Sequence, residues 1–416
     1  MEENLRICIM LLVASLLVPA LVGCHKEAAI VYPPMDYSAE LPAGTLALRK
    51  ITPAEYPDFS DAFLRPNLPA VVTAINHSLN YLKAPSSQHF YPYADISHDR
   101  AVATLEALRT LLLEKSIRTR EQWNAVVADR FEVYKSVGAP RNDGPGYSGK
   151  VQFTGYFTPI YSASSVKTAE FQWPLYKRPA ELISDEDGKK AFVKTPGSDQ
   201  MTPYPYSRQQ LEQQHLLDGS ELVWLASRWD AYVISVQGSA RLKLTDGRTL
   251  EVGYAGNNGM DYVSPGKKML ADGLIPKDQL TLKGLRGYFQ QHPEMMDKYL
   301  WVNPRFVFFT ERPGGPFGSL NQPVTTFATI ATDKGGSGAV DIYPRAMPAF
   351  VSTVIPSSLA GGTTPYKSWM LDQDTGGAIR SAGRCDLYMG IGPAAEGIAG
   401  QQMYQGELYY LAVKGK

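Results

Sequence analysis

Three carboxylates stand close together near the C-terminal end of the chain, in the stretch Leu371 to Gly392, LDQDTGGAIRSAGRCDLYMGIG. They are Asp372, Asp374 and Asp386, and glycines at 376, 377, 383, 390 and 392 crowd them. Two carboxylates within reach of one bond are the usual apparatus for cleaving a glycosidic linkage. One, protonated, gives its proton to the leaving oxygen; the other, ionised, supports the positive charge developing on the sugar ring. A free aspartic acid, with a pKa of about 3.9, is already ionised at neutral pH and cannot donate. Burial among apolar groups or a second carboxylate nearby raises that value. Asp386, set between Cys385 and Leu387-Tyr388, has apolar neighbours in sequence that such a shift would exploit. Asp374-Thr375-Gly376 also has the form of an aspartic-protease triplet. Those enzymes share one proton between two such triplets, and the chain has one. The Cys385 thiol is a possible nucleophile, but the histidines at 25, 77, 89, 98, 215 and 292 are all distant in sequence. A buried, inert cysteine is the simpler reading.

The elements that must position these groups are β-like. The apolar runs between the aspartates are short, and Gly costs a helix interior about 1 kcal/mol against Ala. A compact β segment with sharp turns fits better. It would present Asp374 and Asp386, twelve residues apart, on neighbouring strands or loop ends.

Earlier regions differ in character. Residues 25–65 are Pro-rich, a tether and then an extended lead-in. Residues 66–151 carry helical periodicity: Leu68, Val71, Val72, Ile75, Leu79 and Leu82, then Val102, Leu105, Leu108 and Leu112. Thr119 to Gln122 is a capping-box pattern opening a third helix, with Trp123, Val126, Val127, Phe131 and Tyr134 on one face. From Val151 the chain reads as β, including the run Asp230 to Ser239. Residues 184–202 read as a charged surface loop, and the alternation around Asp246-Gly247 predicts a hairpin. A short buried strand is expected at 305–309, a linker at 313–319, and a further β region over 324–332.

Lys+Arg and Asp+Glu both number 41, so the chain has no net charge to steer it towards nucleic acid. Its 416 residues suffice for two domains or three. Of three cysteines, Cys8 and Cys24 belong to an apolar N-terminal run, which leaves Cys385 without an intrachain disulfide partner. That run, Ile7 to Val22, is shorter than the roughly 20 residues of a membrane-spanning helix. It closes on Leu21-Val22-Gly23-Cys24 and resembles a bacterial lipoprotein signal, in which Cys24 would be lipidated and begin the mature protein. Glu2 and Glu3 outweigh Arg6, a departure from the usual positive n-region. His25 and Lys26 follow the cysteine, with no Asp, which points to the periplasmic face of an outer membrane in a Gram-negative bacterium.

Five segments in order carry a further resemblance. They are Thr154-Gly-Tyr-Phe-Thr-Pro159, Val236-Gln-Gly-Ser239, Tyr254-Ala-Gly-Asn-Asn-Gly259, Asn303-Pro-Arg-Phe-Val-Phe-Phe309, and Asp374-Thr-Gly-Gly with Asp386-Leu-Tyr-Met-Gly-Ile-Gly392. Together they resemble the membrane-bound lytic murein transglycosylase A family, over roughly 150–416. The resemblance implies a mainly β fold with N-terminal helices. A double-psi β-barrel would be built from 306–416 plus N-terminal segments, a smaller barrel would be inserted at 152–305, and a substrate groove would run between them. The family's three aspartates map to Asp333, Asp374 and Asp386, although the loop after Asp333, KGGSGAVDIYPRAMPAF, is longer than the family's usual turn.

The implied reaction cuts the β-1,4 bond between N-acetylmuramic acid and N-acetylglucosamine in peptidoglycan. The muramic acid's own C6 hydroxyl attacks, leaving a 1,6-anhydro end. Asp386 would be acid and then base, and Asp374 would orient or polarise it. Tyr156, Gln237, Gly238, Ser239, Tyr254, Asn257, Asn258 and Asp333 would bind the glycan. No metal or cofactor is required. Expected partners are glycan strands, the membrane through the lipid, and murein synthases or scaffold proteins, but not nucleic acid. A hydrolytic muramidase and a non-catalytic wall-binding lipoprotein on the same barrel are the alternatives.

Overall fold

The computed structural model describes residues 34–42, 44–114, 116–185, 188, 190–332, 342–357, 362–377 and 379–415. Cys24 and Asp333 lie outside the described residues.

The strand β1 (Leu48–Ile51) precedes a helical layer of α1 (Ser60–Phe63), α2 (Leu68–Leu82), α3 (His98–Leu113) and α4 (Arg120–Arg130). Val71 and Ile75 of α2 and Leu105, Leu108 and Leu112 of α3 are buried, as their spacing predicts. The α4 capping box also forms: Gln122 N donates to the Thr119 hydroxyl, and the Gln122 side chain accepts from Thr119 N. The helix stops at Arg130, however. Phe131 and Tyr134, expected on its face, lie in the strand β2 (Phe131–Ser136), where apolar Phe131 and Val133 alternate with polar Glu132 and suit a pleated surface.

Next come β3 (Val151–Thr158), β4 (Ile160–Ser164), β5 (Trp173–Tyr176), β6 (Ile183–Ser184), β7 (Ala191–Lys194) and β8 (Met201–Pro203). The last three make a small antiparallel sheet inside the segment expected to be a loop. Then follow α5 (Arg208–Gln213), β9 (Glu221–Leu225) and α6 (Arg228–Gln237). The run 230–239 was expected to be β. It is helical up to Gln237 because Ser227 caps its N-terminus through Asp230 N, and Gly238, at φ 80°, supplies the left-handed stop. The hairpin across Asp246-Gly247 forms as expected, from β10 (Ser239–Leu244) and β11 (Thr249–Asn257). The chain closes with α7 (Pro265–Ala271), α8 (Leu282–Gln291), α9 (Met296–Leu300), β12 (Val307–Glu311), β13 (Thr329–Thr332), β14 (Pro348–Pro356), β15 (Thr363–Thr375), β16 (Arg384–Ile391), α10 (Pro393–Ala399) and β17 (Met403–Val413). No helix among the described residues is long and apolar enough to cross a membrane.

The strands close two rings. In the larger, the order β17-β14-β15-β13-β16-β3 returns to β17, because β3 pairs with β16 in parallel and with the start of β17 antiparallel. β2 and β1 extend from the end of β17. In the smaller, the order is β12-β11-β10-β4-β9-β5, and a bridge from Lys177 to Phe309 closes it. Two strands sit in the ring opposite to the one their sequence position suggested. β3, read with the inserted barrel, belongs to the large ring, and β12, read with the C-terminal barrel, belongs to the small one. The chain crosses between rings at Pro159, which has no N–H to continue a ladder.

Charge fastens the large ring. Glu407 of β17 accepts from Lys135 of β2 at 2.8 Å, from Lys150 at 3.2 Å and from the Tyr409 hydroxyl at 2.7 Å. Burial opposes its ionisation, but the Lys135 and Tyr409 hydrogen bonds and the lysine charges outweigh burial and bring its pKa down to about 2. An unfolded Glu titrates near about 4.3. The stabilisation is therefore present above that pH and lost as pH falls towards about 2. Glu407→Gln is expected to cost about 2 kcal/mol at neutral pH, less than the whole shift implies because the carboxylate keeps 28% of its exposure. Urea unfolding from pH 7 down to pH 3, roughly the span in which the shifted group titrates, should show the gap between variant and parent narrowing. A gap independent of pH would contradict this reading.

Candidate active site

Asp374 and Asp386 are not on neighbouring strands. β13 runs between them, and its Ala331 is the register partner of both: Asp374 of β15 on one side and Asp386 of β16 on the other. Two strand spacings put their backbones roughly 10 Å apart. The register slips between Ile330 and Ala331, which face Asp372 and Asp374, so Gln373 is an extra residue. This bulge re-aims the strand. Asp372 is buried within the large barrel, where it accepts from Thr332 Oγ1 at 2.9 Å and the Tyr410 hydroxyl at 2.7 Å. Gln373 turns to the helical layer and donates to Ala74 O at 2.6 Å and Ser78 Oγ at 2.9 Å. Asp374 reaches the surface and accepts from the backbone N–H groups of Ser319 at 2.9 Å and Thr375 at 2.8 Å. One carboxylate of the three is thus structural and two remain for chemistry.

Asp386 accepts from the Thr154 hydroxyl of β3, its register partner, and pairs with Arg384 Nε at 3.3 Å. Two of the three apolar neighbours that sequence placed beside it, Cys385 and Leu387, do not face it. Successive strand residues face opposite sides, and Cys385 and Leu387 are wholly buried in the core. Burial, and then the Asp372 and Asp386 charges, push the Cys385 thiol well above its ordinary range, consistent with an inert side chain. An added Cβ at Gly376 would meet Ile379 at 3.0 Å and stand 4.0 Å from Asp386 Oδ2, so the absent side chain lets this turn close over the carboxylate.

A groove of about 400 Å³ runs between the two barrels. Tyr156, Gln237, Gly238, Ser239, Tyr254 and Asp374 line it, with the turn 375–377. The Tyr156 ring stands 5.1 Å from that of Tyr388. Burial, and then the Asp374 charge, hold the Tyr156 phenol well above the usual tyrosine range, so it stays a proton donor facing that carboxylate. Gln237 Oε1 accepts from Phe157 N at 3.0 Å and ties the end of α6 to β3. The Ser239 hydroxyl lies 3.2 Å from that of Thr158.

Two residues expected to bind sugar are spent on the fold. Asn257 is buried and donates to Gly188 O at 2.8 Å and to the Tyr254 hydroxyl at 2.5 Å. Asn258 is buried, donates to Tyr206 O and Pro304 O, both at 2.9 Å, and accepts from Phe306 N at 2.9 Å. Their amides knit loops together and do not line the groove. Thr154, Arg384 and the Ser319 backbone are contacts that sequence reasoning missed. Thr154 precedes Tyr156 by two residues and Arg384 precedes Asp386 by two, so period-two alternation alone could have placed both on the site's face. Arg178 and Arg305 also line the groove, and Arg305 packs against the turn at Gly377, whose added Cβ would meet its guanidinium at 3.2 Å.

A family model described as the MltA specific insert domain matches residues 152–310, and one described as the 3D domain matches 328–412. The chain belongs to the membrane-bound lytic murein transglycosylase A family. The large ring is this family's double-psi β-barrel, and the small ring is its inserted domain. Membrane-bound lytic murein transglycosylase A of Escherichia coli K12 is 29% identical over 279 residues, 66% of this chain and 69% of the relative. Its counterpart in Vibrio cholerae is 29% identical over 286 residues, 67% and 70% of the two chains. Among solved structures, E. coli MltA with bound chitohexaose matches at TM-score 0.66 and 24% identity, over 91% of this chain and 98% of that one. A membrane-bound lytic murein transglycosylase from Agrobacterium tumefaciens matches at TM-score 0.68 and 22% identity, over 89% and 98%. These two likenesses carry the fold.

Proposed function

We propose that this member of the family is a lytic transglycosylase that cuts the β-1,4 bond between N-acetylmuramic acid and N-acetylglucosamine in peptidoglycan. The observation that carries the reading is the placement of Asp374 and Asp386 on either side of Ala331, next to a groove between two barrels. A related protein has been solved with chitohexaose, a β-1,4-linked chain of N-acetylglucosamine.

Asp386 gives its proton to the glycosidic oxygen as the bond to muramic acid C1 breaks. The C6 hydroxyl of the same sugar attacks C1, and Asp386 takes the hydroxyl proton. The oxygen of the new 1,6-anhydro ring is the substrate's own, so no water is consumed. Asp386 accepts from the Thr154 hydroxyl and pairs with Arg384, which hold its carboxylate in place beside the groove. Asp374, fixed by two backbone N–H groups and facing the Tyr156 phenol, supplies the negative charge that favours an oxocarbenium-like centre. Tyr156, Gln237, Gly238, Ser239 and Tyr254 form the sugar-binding wall. Incubating the purified protein with isolated murein tests the activity. Release of soluble muropeptides is expected; binding without release would make the protein a wall-binding module.

The sequence Leu21-Val22-Gly23-Cys24 supports lipid attachment at Cys24 and anchorage to the outer membrane from the periplasmic side. Cys24→Ala is expected to abolish incorporation of labelled palmitate in cells. A labelled variant would sink this assignment.

A further inference from the structure

A second hollow lies apart from the groove. A cavity of about 650 Å³ opens on the inserted barrel, walled by β5, β9, α5, α6 and α9. It shares only Ser235 and Val307 with the groove lining, so the two lie back to back across α6 and β12. The chain has six tryptophans. Trp123, Trp229 and Trp369 are buried in the core; the other three, Trp173, Trp224 and Trp301, all line this cavity.

Their exposure follows from the strands. In β9, Val223 and Leu225 point into the small barrel and are fully buried, which turns Trp224 outwards. Pro174 of β5 is its register partner, while Trp173, 39% exposed, is the partner of Leu225 and reaches the cavity from the end of β5. Trp301 is fixed by its indole N–H, which donates to Glu212 at 2.8 Å. The Arg228 guanidinium lies 5.3 Å from the ring centres of both Trp173 and Trp301, and the Lys167 ammonium lies 5.2 Å from that of Trp224. Arg228 also pairs with Glu212 and Asp297, and Arg208 pairs with Glu212. Polar groups thus rim the aromatic faces while their charges largely cancel.

We propose that this cavity is a second glycan-binding site, which holds a neutral stretch of β-1,4-linked N-acetylhexosamines on the inserted barrel while the groove cuts elsewhere. The chemistry argues for that class. Flat aromatic faces take the C–H faces of sugar rings, the rim offers donors and acceptors to hydroxyl and acetamido groups, and the balanced charge gives no preference to an anion or a cation. The volume lies in the range of small-molecule sites and admits more than one sugar ring. The proposal rests on reading the protein as one that works on murein, and it adds a tether for the insoluble substrate.

Chitotriose titrated into the purified protein, followed by tryptophan fluorescence and calorimetry, is the test. Two classes of site are expected in the parent. Trp173→Ala with Trp224→Ala should weaken one class by about tenfold, and Trp224→Phe with Trp173→Phe should recover most of it. Turnover of short soluble glycan strands should be unchanged in the alanine variant, while clearance of intact sacculi slows. One class of site in the parent, or binding unaltered in the alanine variant with its far-ultraviolet dichroism intact, overturns the proposal. So does tryptophan-dependent binding of a free stem tripeptide in place of chitotriose. Because the binding arm needs no turnover, a protein that binds chitotriose at these tryptophans but never cuts murein would sink the enzymatic reading and keep the site.

Discussion

Asp386→Asn is expected to remove essentially all murein turnover while sparing the fold and chitotriose binding. Asn nearly matches Asp in shape and can still accept from Thr154, so the contacts around position 386 are retained. It can neither give a carboxylic proton nor take one. Positioned proton transfer contributes roughly 10²- to 10⁴-fold. Cys385→Ala is the control. The thiol is wholly buried on the opposite face of β16, so the variant should keep most activity and lose only packing. Turnover of purified, folded variants decides the matter: an active Asp386→Asn beside a dead Cys385→Ala would make the cysteine the nucleophile.

Asp374→Asn is expected to have the second largest effect, a loss of about 10²-fold in turnover. The amide oxygen can still accept from Ser319 N and Thr375 N, so the loop after β12 should stay in place. What disappears is the charge. The Tyr156 phenol, now raised by burial and then by Asp374, should titrate closer to its ordinary value. Measuring turnover beside the ultraviolet titration of tyrosine separates the roles. A large drop in turnover with no change in the Tyr156 titration would show that Asp374 acts without that pairing. Turnover equal to the parent's would remove Asp374 from the site.

Much of this site was legible because both aspartates fall within one glycine-rich stretch and Tyr156, Gln237 and Ser239 fall within short distinctive runs. The strand between the aspartates was not. Ala331 lies more than forty residues before Asp374, and nothing local to Leu371–Gly392 reveals that β13 enters the gap. The bulge at Gln373 was equally hidden, so Asp372 and Asp374 looked equivalent although one is buried and the other faces the groove. Asn257 and Asn258 misled because amides that bind sugar and amides that tie loops have the same sequence appearance; only their partners tell them apart. Apolar neighbours of Asp386 suggested an apolar setting, yet Cys385 and Leu387 occupy the other face of the strand and Tyr388 alone shares its face. At 230–239 the β-branched run looked like a strand, and Ser227 and Gly238, a cap at each end, decided for helix over 228–237.

The most direct test of the whole account is the source of the oxygen at the cut. Isolated murein should be digested to completion in water enriched in heavy oxygen and the muropeptides weighed by mass spectrometry. If the C6 hydroxyl attacks C1 with Asp386 as acid and base, the new ends are 1,6-anhydromuramic acid, one water lighter than a hydrolysis product and free of solvent oxygen. Reducing muramic acid ends carrying the heavy isotope would show that water is the nucleophile and that the enzyme is a hydrolase.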